Sequence, residues 1–419
     1  RVLFRSSSLD CELKVCYAAK ANSLMAVLET VREAGSDLEV NSGGELWKAL
    51  KAGFKGEQII FNGTSKEVWE IEDAIKAEIY AIQVDSVFEL SLIEETARKM
   101  SKKARVSLRL VPEIEAKTHS GLQTALLTSK FGMMPAEALE AIEKFKDSEW
   151  IELCGVHLHI GSQNPEAETY SDALSSLFGT LLEAHSRHGV KLTHLNLGGG
   201  FPVNYLRDTS QAGDFPDKQR GMFSADFEPE VAIIAAWQAV KNAADKAGAN
   251  ELLSGLTLLI EPGRSVIADA GTCLTTVRNQ KSRPVPSTGG VDDWLLTDAG
   301  FNILLSMETY KWYYHLIAAT RTSERSETKY KVAGPLCDGG DVYFDIEGEG
   351  RLPEHRLLPA GVRPGELLAL LNCGAYSVAQ MFQYNGRFLP AAVMTLGDGR
   401  YKLIRQRDRF EDLINNDRF

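Results

Sequence analysis

Four groups of residues in this 419-residue chain have the types and spacing that chemistry needs. Lys20 closes an apolar run in Tyr17-Ala18-Ala19-Lys20-Ala21-Asn22. A lysine that leaves an apolar strand into a cavity is partly desolvated, which favours its neutral amine and Schiff-base chemistry. Taken alone, a surface lysine at a strand end is the simpler reading. Leu197-Gly198-Gly199-Gly200-Phe201-Pro202 could bring backbone N–H groups close to an anion, or could be only a tight turn. Glu261-Pro262-Gly263-Arg264 offers a carboxylate, a further glycine and a guanidinium suited to a carboxylate or phosphate; a structural Glu–Arg pair is its plain alternative. His157 and His159 alternate along one run and so share a side, with Leu158 and Ile160 on the other. No third ligand has convincing spacing, so no metal is expected there.

Together these parts point to one cofactor. A lysine for an imine, a carboxylate for a ring nitrogen, a flat imidazole and a phosphate cradle are what pyridoxal 5′-phosphate (PLP) requires of a protein.

These residues need a scaffold, and the first 270 residues supply a repeating one. Short apolar runs at Val15–Ala19, Leu38–Val40, Gln58–Asn62, Tyr80–Val84, Val106–Val111, Gly155–Ile160, His194–Leu197 and Thr257–Ile260 read as strands. Amphipathic stretches such as Ser23–Ala34, Gly44–Ala52, Ser65–Ala77, Val87–Lys99, Pro135–Phe145 and Tyr170–His188 lie between them. Continuous apolar strands separated by helices make a parallel sheet covered on both faces. Eight such units predict an α/β fold, a (β/α)8 TIM barrel over residues 1–270, with an open doubly wound sheet as the rival. Polar residues close each run: Lys20 and Asn22, Asn41 and Ser42, Asn62 and Gly63, Asp85, Arg109, His159 with Gly161 and Ser162, Gly198–Gly200, and Glu261 with Gly263 and Arg264. Barrels place their active sites at the C-terminal ends of their strands, where these residues fall.

Beyond about residue 270 the texture changes. Leu295–Asp298, Lys329–Ala333, Leu367–Leu371, Ala391–Thr395 and Tyr401–Ile404 read as short strands separated by turns such as Pro359–Gly361 and Pro364–Gly365. This predicts a C-terminal antiparallel β domain over 271–419, with Lys281–Asp292 as its most loop-like stretch.

Composition narrows the class. Apolar residues make up 44% and charged residues 25%, as in ordinary globular proteins, and no apolar run approaches the roughly 20 residues of a spanning helix. The net charge of −11 disfavours nonspecific nucleic-acid binding. Six scattered cysteines without a CxxC read as reduced thiols, and a cytoplasmic location is expected. Arg1–Ser8 show no signal core.

The motifs Tyr17–Asn22, His159–Gln163 (HIGSQ), Gly198–Gly200, Glu261–Arg264, Cys337–Asp341 (CDGGD) and Gly374–Tyr376 resemble, in order and across nearly the whole chain, the fold-type III PLP decarboxylases. That group includes diaminopimelate and ornithine decarboxylases and shares its barrel with alanine racemase. The resemblance implies that Lys20 carries the cofactor's imine, that His159 stacks on its ring and that Glu261 pairs with the ring nitrogen. It implies that Ser162, Gly199, Gly200, Gly263, Arg264 and Tyr376 surround the phosphate. Cys337 would protonate the carbanion left by CO2, reaching the site from the other subunit of a head-to-tail homodimer. Asp338, with Tyr376, would contact the substrate. Read without the family, Cys337 is a small buried hydrophobe.

The pattern departs from the family in three places. Diaminopimelate decarboxylases usually carry Glu after the cysteine, where this chain has Asp338. They also carry an Arg-Pro segment for the distal carboxylate; Asn302–His315 has no arginine, and Arg321 or Arg325 is expected to compensate. The family places a strand and a helix before the lysine strand, whereas fourteen residues precede Val15, so the chain is expected to be incomplete. The expected activity is decarboxylation of a diamino acid, diaminopimelate first. The alternative is ornithine or lysine of either hand, giving a polyamine. The Trp312–Tyr314 cluster and Leu403-Ile404-Arg405 resemble decarboxylases acting on D-ornithine and D-lysine, although core or interface packing accounts for the aromatic cluster as well. A racemase or a PLP-binding protein without activity is disfavoured by Cys337 and the β domain.

Overall fold

A computed structural model describes residues 9–111, 129–206 and 215–418. These residues form two compact units, one from 9–111, 129–202 and 225–266, the other from 203–206, 215–224 and 267–418.

In the first unit eight parallel strands close into a barrel in chain order. They are β1 (Glu12–Ala18), β2 (Asp37–Val40), β3 (Ile59–Phe61), β4 (Ala81–Val84), β5 (Ala104–Arg109), β6 (Ile151–His157), β7 (His194–Asn196) and β8 (Thr257–Ile260). Pairing of Lys14 with Leu259 joins β1 to β8 and closes the ring, so no strand edge is left exposed. Cys16, Ile60 and Leu259, from β1, β3 and β8, pack together with Tyr80 as one layer of the filled interior. The closed ring decides against the open-sheet rival.

Helices α1 (Met25–Glu33), α2 (Gly43–Lys51), α3 (Val68–Lys76), α4 (Val87–Met100), α5 (Pro135–Phe145) and α6 (Glu168–His188) follow the first six strands. Their apolar stripes face the sheet; α6 alone buries Leu174, Leu177, Phe178 and Leu181, each worth about 1.5–3 kcal/mol when withdrawn from water. The hydroxyls of Ser42 and Ser86 cap α2 and α4 by accepting from the backbone N–H groups of Glu45 and Glu89 at 3.2 and 3.1 Å. The polar end of the second strand is therefore a helix cap. Between β7 and β8 lie α7 (Asp217–Phe223) and α8 (Pro229–Ala247); α8 packs on α6, and α7 belongs to the second unit. Among the described residues no helix is long and apolar enough to cross a membrane.

The second unit carries β9 (Cys273–Val285), β10 (Gly290–Thr297), β11 (Leu316–Ala318), β12 (Thr328–Ala333), β13 (Arg356–Leu358) and β14 (Leu367–Leu370), in the order β11-β14-β9-β10-β12-β13. A separate hairpin pairs β15 (Ala392–Thr395) with β16 (Tyr401–Arg405). The C-terminal β domain is as expected, its six-stranded sheet antiparallel except where β10 and β12 run parallel. One expectation is corrected here. Lys281–Asp292 is not a loop but the body of a β9–β10 hairpin, with Pro284 opposite Val291. Beyond Val277 the sheet neighbour of β9 is β10 alone, and its side chains from Arg278 to Pro284 are all exposed. Such an edge tolerates proline and shows no apolar alternation, which is why it reads as a loop.

Trp312, Tyr313 and Tyr314 are buried in this unit's core. Trp312 meets Tyr205 and Phe223 edge-to-face with centroids 5.3 and 5.0 Å apart, and Tyr313 meets Phe215 at 4.9 Å. These contacts hold Tyr205, Phe215 and Phe223 within the second unit. The aromatic cluster is thus packed in a core.

Candidate active site

The barrel's polar centre is built from alternate residues of its strands. In Asp37-Leu38-Glu39-Val40 of β2 and His194-Leu195-Asn196 of β7, Glu39 and Asn196 alternate with buried apolar residues, and their hydrogen bonds bring both to one centre with Asn62 and Glu261. Glu39 and Asn196 are both fully buried. Lys20, in the turn after β1, places Nζ 3.4 Å from Glu39 Oε1, with 37% of its side chain accessible. A lysine held on a fully buried carboxylate is not an ordinary surface lysine.

Asn62, after β3, joins two acids. Its Nδ2 donates to Glu39 Oε1 and to Glu261 Oε2, both at 2.8 Å. Asn196 Nδ2 donates to Glu261 Oε1 at 2.7 Å, and His157 Nε2 lies 3.6 Å from the same oxygen. The acids are driven apart. Burial alone would raise Glu261, but the His157 imidazole, the Lys20 cation and the Asn196 amide outweigh it and bring its pKa down to about 2. Glu39 is pushed up to about 7 by burial against the pull of Lys20, with the Glu261 and Glu45 charges adding to the rise.

His159 is held neutral, well below the usual histidine range, by withdrawal from water and by the Lys20 and Arg109 cations. Its Nδ1 accepts from the N–H of Gly199 at 3.1 Å, which leaves the proton on Nε2. The loops after β6, β7 and β8 interlock around it. Gly200, at φ +94°, leaves no room for a side chain, since a Cβ there would stand 2.0 Å from the Gly161 carbonyl oxygen. A Cβ on Gly199 would stand 2.2 Å from the Glu261 carbonyl oxygen. Arg264 Nε donates to Ser162 Oγ at 3.2 Å. On a Gly263 Cβ the methyls of Ala18 and Ala21 would press at 3.0 Å. Across the barrel, Arg109 lies 4.0 Å from Asp85 and stacks on Phe131 with 4.1 Å to the ring centre.

Thus Lys20, His159, Ser162, Gly199, Gly200, Glu261, Gly263 and Arg264 all lie in the barrel unit, on the turns that follow its strands or at their ends. Cys337, Asp338 and Tyr376 belong to the second unit. There Asp341 accepts from the N–H groups of Phe301 and Leu336 at 2.9 and 2.8 Å, fixing the CDGGD turn. Cys337 is exposed, and its N–H donates to Asn385 Oδ1 at 2.7 Å. The buried-hydrophobe alternative for Cys337 is therefore wrong. Asp338 accepts from the Gly340 N–H at 2.9 Å and from the Tyr384 hydroxyl at 3.5 Å. Tyr376 adopts φ +56°, a left-handed conformation costly for a non-glycine residue and concentrated at functional turns.

The expected compensation by Arg321 is also corrected. Its guanidinium is engaged by Glu324 at 2.6 Å, Glu366 at 3.2 Å and the Ala360 carbonyl at 2.8 Å. Arg325 is largely exposed, 3.7 Å from Glu327. Among the described residues, Asp292, Glu354 and His355 are the one group spaced for a metal, and Lys331 Nζ already sits 3.0 and 3.1 Å from its two carboxylates.

Sequence reasoning missed Glu39 and Asn196. Each carries the same available signal, a polar residue inside a strand whose neighbours are all apolar.

An ionised buried carboxylate, a lysine on the neighbouring buried acid, a neutral imidazole and close-packed glycine turns with a serine–arginine pair are an arrangement that suits a pyridoxal-binding (β/α)8 protein. Comparison with known proteins agrees. The model of the family described as "Pyridoxal-dependent decarboxylase, pyridoxal binding domain" matches residues 4–268. A diaminopimelate decarboxylase of Bacillus subtilis is 34% identical over 99% of this chain and 87% of its own length; one from Methanocaldococcus jannaschii is 32% identical over 97% and 84%. The crystal structure of the Helicobacter pylori diaminopimelate decarboxylase complexed with L-lysine superposes with a TM-score of 0.81 at 29% identity, covering 98% of this chain and 91% of that one. The chain belongs to the pyridoxal-dependent decarboxylases, carboxy-lyases of the barrel-plus-β-domain type.

Proposed function

We propose that the protein converts meso-diaminopimelate to L-lysine and CO2 with PLP, as a cytoplasmic homodimer whose sites draw on both subunits. One observation carries the chemistry: Glu261, ionised and held by two amides inside the barrel, with Lys20 on the adjoining strand end. The diaminopimelate decarboxylases that this chain resembles over nearly its whole length support the substrate, as do the L-lysine complexes of the H. pylori and M. jannaschii enzymes.

Bound PLP would supply an electron sink for the pair left behind by CO2. Glu261 is suited to hold the proton on the ring nitrogen, and its low pKa keeps it anionic through the physiological range. His159, neutral and fixed by Gly199, presents a flat uncharged face to cover one side of the ring and exclude water. Ser162, Gly199, Gly200, Gly263, Arg264 and Tyr376 would take the phosphate, and Lys20 would be the covalent anchor. Cys337 of the partner subunit would donate its thiol proton to the carbon that lost CO2, and Asp338 beside it would hold the distal ammonium of the substrate.

One observation favours a second reading, a diamino acid with a single carboxylate such as lysine or ornithine. Arg321 is committed to glutamates, and Lys311, the one cation in Asn302–His315, is buried between Glu308 and Glu347 at 3.0 and 3.1 Å. A second carboxylate on the substrate then lacks a bidentate partner among these residues. Product analysis of the PLP-loaded protein with meso-diaminopimelate and with L- and D-lysine and ornithine decides. L-Lysine formed from diaminopimelate supports the first reading; a diamine from a monocarboxylic substrate, with diaminopimelate inert, overturns it.

A further inference from the structure

We infer that Glu39 is the proton partner of Lys20, holding Nζ as an ammonium in the free protein and accepting the proton that Lys20 must shed before its amine can join a carbonyl carbon. The inference deepens the assignment of Lys20 as the cofactor's anchor and rests on it.

The geometry sets this pair apart. Glu39 Oε1 is 3.4 Å from Lys20 Nζ and takes its other hydrogen bond from Asn62, while Oε2 is buried with no partner among the described residues. A buried carboxylate with an unsatisfied oxygen is costly when charged and cheaper when it carries a proton. Glu261 also feels Lys20, but both of its oxygens are occupied by Asn62 and Asn196, and it is held ionised. The two acids therefore divide the labour: Glu261 stays charged, and Glu39, pushed up to about 7, can be charged or neutral near physiological pH.

The groups acting on Glu39 are few. Lys20 faces it from the turn after β1, Glu261 from β8, Glu45 from α2, Arg109 from β5 and Cys16 from β1. The step is a proton transfer alone. The N–H bond of the ammonium breaks, an O–H bond forms on Glu39, the nitrogen keeps its electron pair as a nucleophile, and no oxidant or reductant is needed. Glu39 thereby holds Lys20 as an ammonium at rest and takes its proton when the amine attacks a carbonyl carbon, so that removing the carboxylate leaves an amine that is freed of its proton more readily.

The test uses the full chain without added PLP, so it does not depend on turnover. Lys20 acylation by a small amine-reactive reagent is followed by peptide mass spectrometry from pH 6 to 10 in wild type, Glu39→Gln and Glu39→Asp. With the carboxylate gone, the midpoint of the Lys20 profile should move down by about one pH unit, a roughly tenfold faster reaction at a fixed pH below it. Glu39→Asp should restore most of the wild-type midpoint. A merely structural role would change the amplitude of the reaction and leave the midpoint in place, and superimposable midpoints in wild type and Glu39→Gln overturn the inference. Should Glu39→Gln fail to fold, Lys20→Met reports the same coupling from the other side. In protein labelled with carboxyl-13C glutamate, the Glu39 titration should move to higher pH when its cation is removed, and an unmoved titration contradicts the pairing. Failure of the anchor assignment is separately visible, since it requires PLP to become attached to a lysine other than Lys20.

Discussion

The Asn62 side-chain amide donates to Glu261 Oε2 at 2.8 Å, joining the third and eighth strands of the barrel through residues 199 positions apart. The same nitrogen also donates to Glu39 at 2.8 Å, so one amide orders both buried acids. Asn62→Ala should cost about 1–3 kcal/mol, the penalty for stranding buried acceptors. Asn62→Asp should cost more, because it adds a third carboxylate beside two others. Thermal unfolding of both variants checks this, and equal losses would contradict a hydrogen-bonding role.

Gly200 gives a second test. At φ +94° and with the Gly161 carbonyl 2.0 Å from where a Cβ would stand, Gly200→Ala must displace the loop that interlocks with the His159–Gln163 turn. PLP affinity, read by equilibrium dialysis, should fall at least about tenfold, a loss of about 1.4 kcal/mol. Gly179, in the middle of α6 with open space beside it, serves as the control, and Gly179→Ala should leave affinity unchanged.

Cys337 is exposed on a turn fixed by Asp341 and is not part of any core. Cys337→Ala should fold and bind PLP as wild type does, yet turn over about 10²–10⁴-fold more slowly, the usual range for a lost general acid. Stopped-flow spectra and steady-state rates on the same preparation separate the two properties. Undiminished turnover would remove Cys337 as the proton donor.

The pH dependence of stability follows from Glu39. Its folded pKa, about 7, lies above the ordinary carboxylate value of 4.5, so the folded state binds the proton more tightly than the unfolded state does. Below pH 4.5 Glu39 is protonated in both states and costs nothing; as pH rises from 4.5 through 7 the unfolded chain ionises first, and folding loses stability. In PLP-free protein, Glu39→Gln should therefore gain on wild type by about 1–3 kcal/mol between pH 5 and pH 8. Denaturant unfolding at the two pH values measures it, and a constant difference would place Glu39 outside the titration.

Much of this was legible in the chain itself. The βα alternation specifies the barrel because each parallel strand must be apolar on both faces, and the strands fall within a few residues of the expected runs. The motif turns are equally visible, since glycines forced by close backbone contact at Gly198–Gly200, and by the Ala18 and Ala21 methyls at Gly263, leave their mark. Two kinds of feature escaped. The hairpin of β9 and β10 has its outer half exposed on both faces and contains Pro284, so no periodicity distinguishes it from a loop. Glu39 and Asn196 lie one or two residues inside their strands, while attention to strand ends finds Asn41 and Ser42, of which Ser42 caps a helix and Asn41 donates its N–H to Glu45 at 2.8 Å. Arg321 shows the same limit for specificity, because only its neighbours reveal that Glu324 and Glu366 already hold it.

Borohydride reduction of the PLP-loaded protein, followed by peptide mapping, shows whether the barrel holds PLP through Lys20. A pyridoxyl label on Lys20, absent in Lys20→Ala, is the expected result; a label on any other lysine, with Lys20 unmodified, would contradict the account.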